Sequence, residues 1–144
     1  MVYRAEIQHH FRVSNLTTSE LRKKTILFIE DEQELLTTVS NLLYDHGYEV
    51  IGVKKAEDAL DELKKSIPDL LLVDIKLPGK DGFDFLEEVR RIKECNGVPF
   101  VFLTAFNDLK AMAYAKKQGA AEYITKPFEF EYLVTRIRDL APPN

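Results

Sequence analysis

The sequence predicts a doubly wound α/β sandwich, a parallel sheet covered by helices on both faces. Three observations lead there. Five short apolar runs follow residue 25, amphipathic stretches separate them, and four of the runs are continuously apolar rather than alternating. Continuous apolarity suits strands buried on both faces. Strands alternating with helical patterns build such a sheet through right-handed crossovers.

The first run is Ile26-Leu27-Phe28-Ile29, followed by Leu35, Val39, Leu42 and His46 at helical spacing and a stop at Gly47. Val50-Ile51-Gly52-Val53 is the second strand. A helix marked by Ala56, Ala59, Leu60, Leu63 and Ile67 follows it and stops before Pro68. Leu70-Leu71-Leu72-Val73 is the third strand, with Leu86, Val89 and Ile92 marking the next helix and Gly97 and Pro99 its stop. Phe100-Val101-Phe102-Leu103 is the fourth. Leu109 and Met112 mark the helix after it, ending at Gly119. The fifth runs from Ala120 to Ile124, and Phe130, Leu133, Val134 and Ile137 mark the last helix. These stops are the residues that end helices for backbone reasons. For five strands wound in this way the expected order is 2-1-3-4-5.

Residues 1–24 stand outside the pattern and read as an N-terminal extension to a domain of residues 25–144. From Tyr3 to Val13 apolar and polar residues alternate, the period of a half-buried strand, and a polar linker runs on to Lys24. A lone strand of this length needs a partner. Pairing with a second copy in a homodimer, serving as the tail of a preceding domain, and disorder all fit. His9-His10 lacks a third ligand at metal spacing and reads as surface.

The 144 residues are 45% hydrophobic and 31% charged, with a net charge of −4, so one ordinary globular domain is expected. Basic residues are scattered, which argues against nucleic-acid binding. The doublets Lys54-Lys55, Lys64-Lys65, Arg90-Arg91 and Lys116-Lys117 read as helix surface. The single cysteine, Cys95, allows no intrachain disulfide and reads as a small buried residue. No apolar run approaches the roughly 18 residues of a membrane span, and no signal peptide opens the chain. A cytoplasmic location is the expectation.

In an open α/β sheet, ligands bind beyond the carboxyl ends of the strands where the order reverses, here between the first and third strands. The first strand ends in Glu30-Asp31 and the third in Asp74; the fourth ends in Thr104, and Thr125-Lys126-Pro127 follows the fifth. Three carboxylates this close repel one another unless a cation joins them. An all-oxygen donor set selects a hard ion, Mg²⁺ or Ca²⁺, and Mg²⁺ suits a phosphoryl-transfer site. An ionised carboxylate can itself attack phosphorus and form an aspartyl phosphate. Lys126 and Thr104 would then neutralise and hydrogen-bond the phosphoryl oxygens. Taken singly, each of these residues also fits a plain structural role, since acids after strands commonly cap the next helix.

The blocks Ile26-Leu27-Phe28-Ile29-Glu30-Asp31-Glu32, Leu72 through Gly82, Phe102-Leu103-Thr104-Ala105 and Tyr123-Ile124-Thr125-Lys126-Pro127-Phe128 resemble the signature of response-regulator receiver domains over about residues 25 to 140. The resemblance implies a flavodoxin-like three-layer sandwich. It implies that Asp74 accepts a phosphoryl group from a sensor histidine kinase or a phosphotransfer protein. Glu30, Asp31, Asp74 and the backbone carbonyl of Lys76 would surround Mg²⁺. It implies a cis peptide bond before Pro127. It also implies a switch in which Thr104 moves toward the phosphoryl group and Tyr123 rotates into the vacated space. The face made by the fourth helix, fifth strand and fifth helix would then repack and bind a downstream protein.

Three positions depart from the commonest pattern. Glu30 stands where the family usually has Asp. Lys76 and Phe106, two residues beyond Asp74 and Thr104, would overhang the acceptor and lengthen the lifetime of the phosphorylated state. A turnover phosphatase of the haloacid-dehalogenase kind would need an acid at position 76, and a nucleotide P-loop has different glycine spacing from Gly79-Lys80-Asp81-Gly82. The remaining alternative is a receiver-shaped interaction module that is never phosphorylated. Only four residues follow Leu140, so a regulator acting by contact or a receiver cut from a longer protein is expected, and not an enzyme with turnover.

Overall fold

The computed structural model describes residues 3–5 and 22–144. The parallel strands are β2 (Lys24–Ile29), β3 (Tyr48–Val53), β4 (Leu70–Val73), β5 (Phe100–Thr104) and β6 (Glu122–Thr125). The helices are α1 (Gln33–Asp45), α2 (Ala56–Lys65), α3 (Gly82–Arg90), α4 (Leu109–Lys117) and α5 (Phe130–Leu140). Counted from β2, the five parallel strands lie in the order 2-1-3-4-5, as the sequence predicts.

A sixth strand, β1 (Tyr3–Ala5), pairs antiparallel with the outer edge of β3, Ala5 opposite Val50. The sheet therefore has six strands where sequence reasoning counted five, because alternation marks a strand without naming its partner. The rest of the expected strand, residues 6–13, and its linker through residue 21 lie outside the described residues.

Each parallel strand feeds two cores by simple alternation. Ile26 and Phe28 face α1 and α5, meeting Leu36, Val39, Leu133 and Ile137. Leu27 and Ile29 face the other way, toward Ala59 and Leu63 of α2 and Phe85 and Val89 of α3. The helices end close to where the stops fall. Gly47, at φ +98°, takes the left-handed turn after α1. Ile67 and Ile92 lie past the ends of α2 and α3, because both still pack on the core from the connecting turns. Cys95 is buried in a 3₁₀ turn after α3, where burial raises its thiol pKa. Lys54-Lys55 sits in the β3–α2 turn rather than on a helix. Among the described residues no helix is long and apolar enough to cross a membrane.

The end of the chain is fastened to the amino edge of the sheet. Tyr48, fully buried, donates its hydroxyl to the Ala141 carbonyl at 2.6 Å, joining β3 to the end of α5. Burial pushes the phenol up to about 12. The folded state thus holds this proton more tightly than the unfolded chain, whose phenol titrates near 10. The stabilisation is complete below about pH 10 and is lost as pH rises from about 10 to about 12. Tyr48→Phe is expected to cost about 1 kcal/mol near neutral pH and to flatten that alkaline fall. Urea unfolding of both proteins at neutral and alkaline pH checks both effects.

Candidate functional site

Strand register brings the acidic residues together. Ile29 lies opposite Val73, so Glu30 and Asp74 leave β2 and β4 side by side at the carboxyl edge. The Asp74 N–H donates to the Ile29 carbonyl at 3.0 Å, and the Glu30 N–H to that of Val53, also at 3.0 Å. Thr104 ends β5 opposite Thr125 of β6, and the Lys126 N–H donates to the Thr104 carbonyl at 2.9 Å. Four adjacent strand ends therefore present Glu30, Asp74, Thr104 and Lys126 along one rim.

One carboxylate oxygen from each of Glu30, Asp31 and Asp74 lies within 4.8 Å of the others. Asp31 is exposed, whereas Glu30 and Asp74 are 1% and 5% exposed. The Lys126 ammonium bridges the two buried ones, 2.6 Å from Glu30 Oε1 and 3.1 Å from Asp74 Oδ2. Burial pushes the Glu30 carboxyl up to about 7; the Lys126 hydrogen bond opposes that rise and the neighbouring Asp74 adds to it. Burial pulls Lys126 down, but the bond to Glu30 and the charges of Glu30 and Asp74 outweigh it and raise its pKa. The lysine is thus firmly charged, and a 2.6 Å contact to a charged ammonium favours ionised Glu30.

The three oxygen donors fit a hard divalent cation. Each is a carboxylate, neither histidine nor cysteine is among them, and one opens to solvent. Backbone donors fix the carboxylates: Glu32 N–H to Glu30 Oε2 and Lys76 N–H to Asp74 Oδ1, each at 3.2 Å.

Around the acids, Thr104 is fully buried and its Oγ1 accepts from the Phe106 N–H at 3.2 Å. Tyr123 donates its hydroxyl to the Phe106 carbonyl, with its phenol pKa raised first by burial. The Phe106 backbone is therefore held from both sides. The Lys76 ammonium stands 4.3 Å from the centroid of the Phe106 ring, a cation–π contact joining the two residues expected to overhang Asp74. The Lys126-Pro127 peptide bond is cis.

Sequence reasoning missed Gly82. A Cβ there would lie 2.5 Å from the Asp74 carbonyl oxygen and 2.8 Å from Ile75 Cα. The start of α3 passes directly against the end of β4, and the Gly82 N–H donates to the Ile75 carbonyl at 2.9 Å. The only signal in the sequence is a glycine at the first turn of a helix, just after the Asp81 cap.

Residues 26–138 match the family model described as the response regulator receiver domain. The chain is 34% identical over 113 residues to sensory transduction protein BceR of Halalkalibacterium halodurans, covering 78% of this chain and 48% of that protein. It is 33% identical over 115 residues to the phosphate regulon transcriptional regulatory protein PhoB of Escherichia coli, covering 80% and 50%. Thus it spans about half the length of these curated relatives. Among solved structures, the non-phosphorylated HemR receiver domain of Leptospira biflexa superposes with a TM-score of 0.76 at 30% identity, covering 82% of this chain and 94% of that one.

Gly82→Ala is expected to lower stability by about 2 kcal/mol, since the atoms in the way are the Asp74–Ile75 backbone, which cannot yield as a flexible side chain would. Gly97→Ala, with open space around its Cβ, is expected to cost only the about 1 kcal/mol of its left-handed backbone. Parallel urea melts of the two variants compare them.

Proposed function

This chain belongs to the response regulator receiver domain family, and on that premise we propose that Asp74 accepts a phosphoryl group from a histidine-bound donor. One observation carries the reading. Asp74 Oδ2 lies 3.1 Å from the Lys126 ammonium, and the Glu30 and Asp31 carboxylates crowd the same spot. That arrangement gives a nucleophile, a counter-charge and a cation site in one place.

In the proposed reaction an Asp74 carboxylate oxygen attacks phosphorus in line with the scissile bond. The O–P bond forms as the P–N bond of the phosphohistidine breaks, and the imidazole leaves with the electron pair. Mg²⁺ bound by Glu30, Asp31, Asp74 and the Lys76 carbonyl would supply positive charge against the phosphoryl oxygens. Lys126 exchanges a carboxylate oxygen for a phosphoryl oxygen, needing little movement from its present bridge. The protein is modified stoichiometrically and turns over no external substrate. A sensor histidine kinase or phosphotransfer protein is the donor, and the cytoplasm is the compartment.

The bonds at Phe106 support a switch. Turning the Thr104 hydroxyl toward a phosphoryl oxygen breaks its bond to the Phe106 N–H, loosening the carbonyl that holds Tyr123. Tyr123 is then free to rotate, and the face of α4, β6 and α5 changes shape. That face carries Leu109, Phe130 and Tyr132, which are 80%, 46% and 51% exposed. An open cleft of about 670 Å³ between β6 and α5 reaches Tyr123 and Tyr132, making this the surface proposed for the downstream protein. The Lys76–Phe106 contact would shield phosphorylated Asp74 from water.

Incubation with Mg²⁺ and acetyl phosphate is expected to add one phosphoryl group to the intact mass. Asp74→Asn, or chelation of the metal, should abolish the gain. No gain in the unaltered protein at saturating donor and metal would turn the reading toward an interaction module that is never phosphorylated. Lys76→Ala and Phe106→Ala are each expected to shorten the phosphorylated lifetime several-fold, followed by loss of that mass; unchanged lifetimes would refute the shielding role.

A further inference from the structure

Helix α4 is lightly seated. Of its residues Leu109–Lys117 only Ala115 is buried, while Leu109 is 80% exposed and Tyr114 41%. An element with so little buried apolar surface has low local stability and is easily biased between positions. One of its lateral contacts is aromatic. The Tyr114 ring meets Phe83, in the first turn of α3, edge-on with centroids 5.1 Å apart.

Phe83 does not end there. Its ring also stands edge-on to Phe102 of β5, at 5.2 Å. Phe102 is fully buried and is the register partner of Tyr123 across β5 and β6, with ring centroids 5.9 Å apart. Four rings on four elements thus form an unbroken series from Tyr123 beside the acidic site to Tyr114 on the surface. Close-packed rings of fixed mutual tilt have discrete arrangements, so displacing one end repacks the next rather than compressing it. Tyr123 is linked toward α4 by two routes: its hydroxyl holds the Phe106 carbonyl ahead of the helix, and its ring opens this series.

We propose that the Tyr123–Phe102–Phe83–Tyr114 series couples the state of the Asp74 site to the seating of α4 against α3, making the α3–α4 seam a second readout beside the α4–β6–α5 face. The inference rests on the reading of Asp74 as phosphoacceptor and Tyr123 as its responding side chain. By reciprocity, whatever reseats Tyr114 must bias the acceptor site by the same factor.

Fluorine NMR of the full chain carrying 3-fluorotyrosine tests it, with each resonance assigned by a Tyr→Phe variant. The site is charged with Mg²⁺ and beryllium fluoride, a stable phosphoryl mimic. The Tyr123 and Tyr114 resonances should both shift, and Phe83→Leu should keep the Tyr123 shift while losing most of that at Tyr114. Phe83 is half-buried and leucine keeps its apolar character; Phe83→Met is the second variant if the first is unstable. A Tyr114 shift that persists undiminished in these variants, or is missing while Tyr123 responds, overturns the coupling and leaves the phosphoacceptor reading intact. Silence at both tyrosines overturns the coupling alone if acetyl phosphate still adds mass, and both readings if it does not.

Discussion

Buried negative charge at one edge of the sheet is the constraint to which the surrounding structure answers. Glu30 and Asp74 are nearly inaccessible, and two carboxylates buried side by side repel each other unless a cation joins them. Lys126 holds them together by standing within hydrogen-bond reach of both. It can do so because β6 delivers it to the rim from the far end of the parallel array, two strands beyond β4. The ion pair is thus a product of topology: the acids come from the centre of the sheet and the cation from its edge. A site whose internal charges are already partly satisfied is ready to exchange one partner for another, as the proposed phosphoryl transfer requires.

Much of this was legible in the sequence, for reasons that can be named. Continuously apolar runs such as Leu70–Val73 suit short strands covered on both sides, and the glycines and prolines after the amphipathic stretches mark where the chain turns. Once the strands are placed, their carboxyl ends are placed too, and Glu30, Asp31, Asp74, Thr104 and Lys126 fall on one rim. Helix ends were less legible. Ile67 and Ile92 keep the apolar spacing of α2 and α3 while lying outside them, because burial continues after the hydrogen bonds stop.

Close approaches between distant segments left almost no trace in residue type. Gly82 looks like any glycine near a turn until the Asp74 carbonyl is seen filling the place of its Cβ. The aromatic series is equally hidden, since Phe83, Phe102, Tyr114 and Tyr123 share no spacing that would group them. The partner of Tyr3–Ala5 is another such case, because an edge strand carries no mark of the edge it will join.

The alternation by which every β-strand serves two cores has a consequence for how this chain can vary in length. Deleting Leu70, with the chain before it held in register, would retract Asp74 by about 3.3 Å and swap the faces of every following side chain in β4. Leu71 and Leu72 would exchange cores, and the acid would leave the reach of Lys126. In the connection between α3 and β5, a Cβ at Gly97 would meet only open space, and the chain at that point imposes no such phase. Insertions and deletions can therefore accumulate in that connection, while the strands behave like the teeth of a gear, tolerating substitution of size but not of number.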